Sequence, residues 1–372
     1  MKILYIFRSL AVWGGIERIL VDKMNWLASE EGIDVFILTY DQGGHPIPYR
    51  LDERVHFEDL NINFHRQYRY SLLKRILITR KMRQKFKQLL LNGIRRIQPD
   101  IIVCTTSDQI DVIIELKRRI PLIVESHSIC NRTIEHGKNV FFRKFRRYFF
   151  LKSLLKTDCV VSLTEGDAVE WRRFHAQVKV IPNMLHPCNI EKSPLTSKRV
   201  IWVGRFDYQK RVEVAITIWN LVAQKYPDWC LDIYGEGEML SEIKLMASKS
   251  KNIYVHKPTA QIFNCYRESS ILISTSLFEP FGLVLVEAMS CGLPVLSFDC
   301  PYGPSDIISN GVDGFLIPFD NLQSYTDKLC LLIEDSSLRE RMGHAAFASS
   351  KRFNVGRIMP EWMALFDELT KK

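Results

Sequence analysis

Short apolar, β-branched runs alternate along this chain with longer stretches in which apolar residues recur at helical spacing. Lys2–Phe7, Asp34–Thr39, Ile101–Cys104, Leu122–Glu125, Cys159–Leu163 and Val178–Ile181 predict strands. Gly15–Ser29 and Ser71–Ile97, lying between them, predict helices. Near-continuous apolar strands separated by helices imply a parallel sheet covered on both faces. The pattern lapses after Pro182-Asn183, in a stretch carrying Pro187, Asn189, Ser193 and Pro194. It then restarts, with strands expected at Val200–Val203, Leu231–Tyr234, Ile253–Val255, Ile271–Ser274, Val295–Ser297 and Gly314–Ile317, and a helical tail from Leu338 to Lys372. Two α/β units of similar construction make a cleft between them the expected ligand site.

At 372 residues the chain suits two domains of ordinary size. Apolar and charged fractions of 47% and 25% are those of a globular protein. No apolar run approaches the ~18 residues of a membrane span. The apolar start ends at Arg8 and reads as a first strand, too short for a signal-peptide core. Nine widely spaced cysteines with no C-x-x-C predict reduced thiols in a cytoplasmic protein, not disulfides or a zinc site. The net charge of +9 is uneven: residues 1–190 hold 31 Lys and Arg against 20 Asp and Glu. The excess gathers in Leu73–Lys87 and Phe141–Lys156, where basic residues mix with Phe, Leu and Ile. A basic, aromatic-bearing helix such as Arg143–Lys152 suits an anionic membrane surface, and equally a solvated helix packed on its own domain. With no recognised module, nucleic-acid binding is not expected.

Glu279-Pro-Phe-Gly-Leu-Val-Leu-Val-Glu287 is the densest chemical signal. At about 100° per residue the two carboxylates are roughly 80° out of phase, so they do not share a helix face. Glu279 is expected in a loop above the strand Ile271–Ser274, and Glu287 two turns inside a helix that stops at Gly292 and Pro294. That arrangement leaves backbone N–H groups open at Phe281, Gly282, Leu283 and Val284, a natural phosphate site. Gly204-Arg205 follows the first strand of the second unit, with Lys210 near a helix start. Two cations above a sheet's carboxyl edge suit a departing diphosphate. Gly14-Gly15 follows the first strand and reads as a ligand approach or a plain turn. His127, in Glu125-Ser-His-Ser, lies at a strand's carboxyl end; both structural and proton-handling readings stay open. Tyr234-Gly-Glu-Gly237 reads as a turn or a ligand approach, and Asp306 as a helix cap or a ligand-facing group.

Together with Ile181-Pro-Asn183 and Asn310-Gly-Val-Asp-Gly314, this set resembles the family-4 retaining glycosyltransferases of the GT-B fold, over almost the whole chain. The resemblance implies two Rossmann-like domains with parallel sheets: residues 1–184 on the acceptor side, a linker over 185–198, and residues 199–354 for the nucleotide-sugar. A last helix over 355–372 would complete the first domain. It further implies that Arg205 and Lys210 hold the diphosphate, Glu279 the sugar hydroxyls, Phe281–Val284 the sugar and phosphate oxygens, and Glu287 the ribose. Gly15 would let its loop approach the phosphates, His127 would lie near the reacting centre on the acceptor side, and His256 and Lys257 would meet the base.

Such a site needs neither metal nor cofactor, and retention is described in this family as front-face attack with the leaving phosphate taking the proton. The segment Cys300-Pro-Tyr-Gly-Pro-Ser-Asp306 departs from the commoner Gly-Gly-Glu pattern and resembles enzymes of bacterial surface polysaccharide synthesis. The expected reaction moves a hexose or N-acetylhexosamine, from a UDP-sugar by preference, to a lipid-linked or oligosaccharide acceptor. The expected location is the cytoplasm, peripheral to the inner membrane face. The competing readings are another GT-B activity, such as a sugar-nucleotide epimerase or a phosphorylase, and a non-catalytic nucleotide-sugar-binding partner of a synthase.

Overall fold

The computed structural model describes residues 1–105, 109–135, 140–186 and 191–371, and the side chains among them except those of Leu72, Glu135 and Val140–Arg146. Of the basic segment read either as membrane-facing or as a solvated helix, the side chains of Arg143, Lys144 and Arg146 therefore lie outside the described residues, as do residues 187–190 of the expected linker, with Cys188.

Two compact units divide the chain. One comprises Met1–Leu163, Ala168–Ile181 and Met359–Lys372, the other Thr164–Asp167 and Pro182–Ile358. The first contains a seven-stranded sheet: β1 (Lys2–Phe7), β2 (Asp34–Thr39), β3 (His56–Asp59), β4 (Ile101–Thr105), β5 (Leu122–Glu125), β6 (Cys159–Ser162) and β7 (Val178–Val180). Their spatial order is β3-β2-β1-β4-β5-β6-β7, and every pairing is parallel. The second contains β8 (Arg199–Val203), β9 (Cys230–Tyr234), β10 (Ile253–His256), β11 (Ile271–Ser274), β12 (Val295–Phe298) and β13 (Gly314–Ile317). These run β10-β9-β8-β11-β12-β13, again all parallel. Each sheet is doubly wound, with its order reversing beside the first strand of the unit, where α/β proteins place their ligands.

Helices cover both faces, which is why the central strands are apolar on both sides. Ile3, Leu4, Ile102, Val124 and Val160 are buried in the first unit, and Val200, Ile201, Leu231, Leu272 and Val295 in the second. The expected strands are present, most with one end shifted by a residue. β3 is an addition: its residues are exposed or half-buried at a sheet edge, so no apolar run announces it. The helical residues of the tail form two helices, Ser336–Ser350 and Val355–Thr370, the first starting two residues before Leu338 and the second at the residue 355 expected for the last helix, parted by a 3-10 turn at Lys351–Phe353 and an extended Asn354. Phe353 is buried at this break, edge-on to the Phe281 ring at 5.4 Å.

The described cysteines form no disulfide among the described residues. Likewise, no described helix is long and apolar enough to cross a membrane.

Candidate active site

Strand order assembles the site in the second unit. β8 and β11 are neighbours, so the loops leaving their carboxyl ends, 204–210 and 275–282, lie side by side. Leu277 N–H donates to Gln209 O at 2.8 Å, and the Gln209 amide donates back to Phe278 O at 3.2 Å. Thr275 Oγ1 donates to Arg211 O at 2.8 Å, tying the same loop to the end of β11. Asp207 holds the turn before the helix Val212–Val222: its carboxylate accepts from the N–H groups of Gln209 and Lys210, at 3.1 and 3.0 Å.

These constraints deliver Lys210 to Glu279, with Nζ and Oε1 2.5 Å apart. Ser276 Oγ donates to the same carboxylate oxygen at 2.7 Å. Glu279 is itself fixed through its backbone, its N–H donating to Pro301 O at 2.8 Å and its O accepting from Tyr302 and Gly303 N–H, both at 2.9 Å. The divergent segment Cys300–Asp306 is thus the brace of the Glu279 loop. A Cβ on Gly303 would stand 1.7 Å from Phe281 O, so only glycine allows this approach. Burial, and then Glu279, push the nearby Cys300 thiol up to about 12.

The helix that Glu279 precedes is Leu283–Ser290, its N-cap Gly282 at φ +108 in the left-handed region. Leu285 N–H bonds Gly282 O at 2.9 Å. Among the described residues the N–H groups of Phe281, Gly282, Leu283 and Val284 meet no acceptor, as the sequence led us to expect. Glu287 is the fifth residue of this helix, about one turn inside rather than two, because the helix begins only at Leu283, after the left-handed Gly282. Tyr266 donates to its Oε2 at 3.1 Å.

Arg205 differs from Lys210. Its side chain is 70% exposed and pairs with Asp207 at 3.0 Å, whereas that of Lys210 is 16% exposed. The Arg205 loop rests on Tyr234-Gly-Glu-Gly237, which therefore braces a loop. Gly204 N–H donates to Tyr234 O and Phe206 N–H to Glu236 O, and a Cβ on Gly235 would meet Gly204 O at 2.0 Å. His256 ends β10, stacked on Tyr234 at 4.4 Å, with Nε2 2.7 Å from Asp232 Oδ1. Asp232 also accepts two bonds from Arg199 at 2.9 Å. Lys257 follows, exposed. Asp306 is a cap: its carboxylate accepts from the N–H of Glu165, first residue of the helix Glu165–Arg172, at 2.5 Å.

The first unit holds the other two expected residues. Gly15 begins the helix Gly15–Ser29, with Gly14 as N-cap. Val12 and Trp13 before it are exposed, and Tyr49 donates to Gly14 O at 3.1 Å. His127 Nε2 lies 3.0 Å from Glu125 Oε2, and Lys23 Nζ 2.6 Å from Glu125 Oε1. Sequence reasoning did not single out Lys23, Asp207, Tyr266 or Ser276, whose roles come from partners distant in the chain or from commonplace residue types.

Residues 13–187 match the family described as Glycosyltransferase Family 4, and residues 189–349 the family described as Glycosyl transferases group 1. An uncharacterized glycosyltransferase of Haemophilus influenzae is 27% identical, across 98% of this chain and 99% of its own. A GalNAc-alpha-(1->4)-GalNAc-alpha-(1->3)-diNAcBac-PP-undecaprenol alpha-1,4-N-acetyl-D-galactosaminyltransferase of Campylobacter jejuni is 25% identical, across 99% of both. Among solved structures, a mutant of TarM from S. aureus, crystallised with UDP, alpha-GlcNAc-glycerol and Fondaparinux, superimposes with a TM-score of 0.78. Its identity is 17%, over 98% of this chain and 99% of that one.

Proposed function

The chain belongs to the family-4 glycosyltransferases of the GT-B fold, and from that premise we propose that it transfers a sugar with retention of anomeric configuration. The donor is a nucleotide-linked hexose or N-acetylhexosamine, a UDP-sugar by preference. The acceptor is a lipid-linked or oligosaccharide chain of a bacterial surface glycan, met at the cytoplasmic face of the membrane. The observation carrying this reading is the Lys210–Glu279 pair beside a helix start with open N–H groups.

In this reading the diphosphate is seated on the N–H groups of Leu283 and Val284, where the helix dipole favours negative charge. Lys210 and Arg205 neutralise it as it leaves, without a metal. Glu279 is held at Oε1 by Lys210 and Ser276, so Oε2 is the oxygen that accepts from a sugar hydroxyl. Glu287, steadied by Tyr266, takes the ribose, and His256 and Lys257 meet the base. The N-terminal unit takes the acceptor, with His127 on that side and Gly15 admitting the phosphates. Attack comes from the face the phosphate leaves, and a phosphate oxygen accepts the proton, so no side chain forms a covalent intermediate. UDP in the TarM crystal supports the choice of base.

A thermal-shift panel tests the donor. A saturating UDP-sugar stabilises the protein, by about 2.7 kcal/mol at a hundred times Kd, and GDP- and ADP-sugars do so less. Glu287→Gln removes most of the UDP-sugar shift. A larger shift with GDP- or ADP-sugars would reject the base, and no shift with any of them would reject the donor site.

A membrane-borne acceptor also accounts for the surface near residue 70. No Asp or Glu occurs between Asp59 and Asp100. In the helix Leu72–Ile97, Arg83 and Lys87 pair with Asp111 and Glu115. Nearer its start, Lys74 and Arg75 instead lie over the rings of Tyr70 and Tyr68, beside exposed Leu73, Ile76 and Leu77. This mixture of cations and apolar side chains suits an anionic lipid surface. Flotation with anionic vesicles should weaken roughly five-fold for each of Lys74, Arg75, Arg80 and Lys81 neutralised, at about 1 kcal/mol per charge. Unchanged flotation would remove this surface from the account.

A further inference from the structure

His127 is reached by a buried chain of charges spanning three parts of the first unit. Glu125 is the last residue of β5 and is buried. Both of its oxygens are used: Oε1 accepts from Lys23 Nζ at 2.6 Å, and Oε2 lies 3.0 Å from His127 Nε2. Lys23 comes from the helix Gly15–Ser29 and is buried as completely as its partner. Its ammonium lies 3.8 Å from the ring centroid of Trp362, in the helix Val355–Thr370. The His127 backbone is fixed as well, since Ser126 N–H donates to Val161 O at 2.9 Å and Ser126 Oγ to Ser128 O at 2.7 Å.

A buried ion pair gains little stability over apolar residues of the same volume, so its presence calls for another role. An ionised carboxylate can only accept hydrogen bonds. The hydrogen between it and the ring must then sit on Nε2, and in the neutral imidazole Nδ1 is left as the acceptor. Among the described residues, Nδ1 of His127 has no partner.

We infer that Glu125 and Lys23 are positioning residues for His127: Glu125 fixes the ring in its Nε2–H form with Nδ1 presented to a substrate hydroxyl, and Lys23, clamped by Trp362, keeps Glu125 ionised and in place. The inference rests on the glycosyl-transfer reading for what Nδ1 meets, and on geometry alone for the ring.

Two measurements on the full chain decide it. In the ¹⁵N spectrum of histidine-labelled protein, with the His127 signals assigned by their loss in His127→Ala, Nε2 should carry the hydrogen and Nδ1 be bare. Lys23→Met/Glu125→Gln, which removes both charges together and so preserves the fold should Glu125→Gln alone not, should yield a mixture of ring forms. For transfer, Glu125→Gln or the paired variant should lower kcat/KM at least about 10–100-fold, by analogy with the loss of a carboxylate that orients a metal-binding histidine. The same change in a His127→Ala background should cost almost nothing further, because Glu125 acts through the ring. A hydrogen on Nδ1 in the unaltered protein would overturn the inference, as would an equal loss in both backgrounds. If no nucleotide-sugar is turned over, the transferase reading fails, and the ring form still decides whether Glu125 sets it.

Discussion

Lys210→Ala lowers kcat/KM for sugar transfer about 10²–10³-fold while the protein stays folded. The magnitude is that of removing one preorganised group from a site of developing charge. Two features of the structure place Lys210 at the upper end of that range. Its ammonium is mostly buried, so its field is poorly screened, whereas Arg205 is exposed and already shares Asp207. Its removal also leaves the Glu279 carboxylate without its cation, close to an arriving diphosphate. Glu279→Gln should for that reason soften the defect, and the two substitutions should be strongly non-additive. Folding is spared because the Lys210 backbone is held by Asp207 and Thr275, not by its side chain. Steady-state kinetics on the two single variants and the double variant measure the coupling. Simple additivity would mean that the pair seen here has no part in transfer.

Lys23→Met destabilises the N-terminal unit by about 3–5 kcal/mol, the usual cost of stranding a buried charge. Lys23→Met/Glu125→Gln recovers most of it, since no charge is then left behind. Burial pushes the Glu125 carboxyl up, but the Lys23 ammonium and His127 together outweigh it, drawing it from an ordinary 4.5 down to about 2. A depressed folded value means that stability from this group is complete above about 4.5 and is lost as pH falls toward 2. Urea titrations at several pH values should show that acid loss in the unaltered protein. It should shrink in Lys23→Met, where the strongest force lowering the carboxyl is gone. An equal acid loss in both would assign it to other carboxylates.

Much of the fold was legible because its strands are buried on both faces and so appear as unbroken apolar runs. β3 lacked that signal because it lies at an edge. The periodicity of the tail does not itself mark the turn at Phe353, which is pulled inward by packing on Phe281, whereas the resemblance placed the start of the last helix at 355. The Glu279–Glu287 motif could be seen in a short window, as could the open helix start. The Lys210–Glu279 contact could not, since it joins residues 69 apart and depends on β8 and β11 becoming neighbours. Lys23 is harder still to see. On the helix Gly15–Ser29 nothing local sets it apart from a solvated lysine, the usual state of that residue, yet Trp362 and Glu125 close over it. The Gly235 and Gly303 approaches likewise exist only between segments distant in sequence.

The central claim is retaining transfer from a nucleotide-sugar held by Lys210, Glu279 and Glu287. Its most direct test incubates the protein with UDP-hexose or UDP-N-acetylhexosamine and a lipid-linked acceptor, with chelator present, and reads the product's anomeric proton by NMR. The account predicts an α-linked product from an α-linked donor, formed about 10²–10³-fold more slowly with Lys210→Ala. A β-linked product, or an epimerised nucleotide-sugar formed without acceptor, would contradict it.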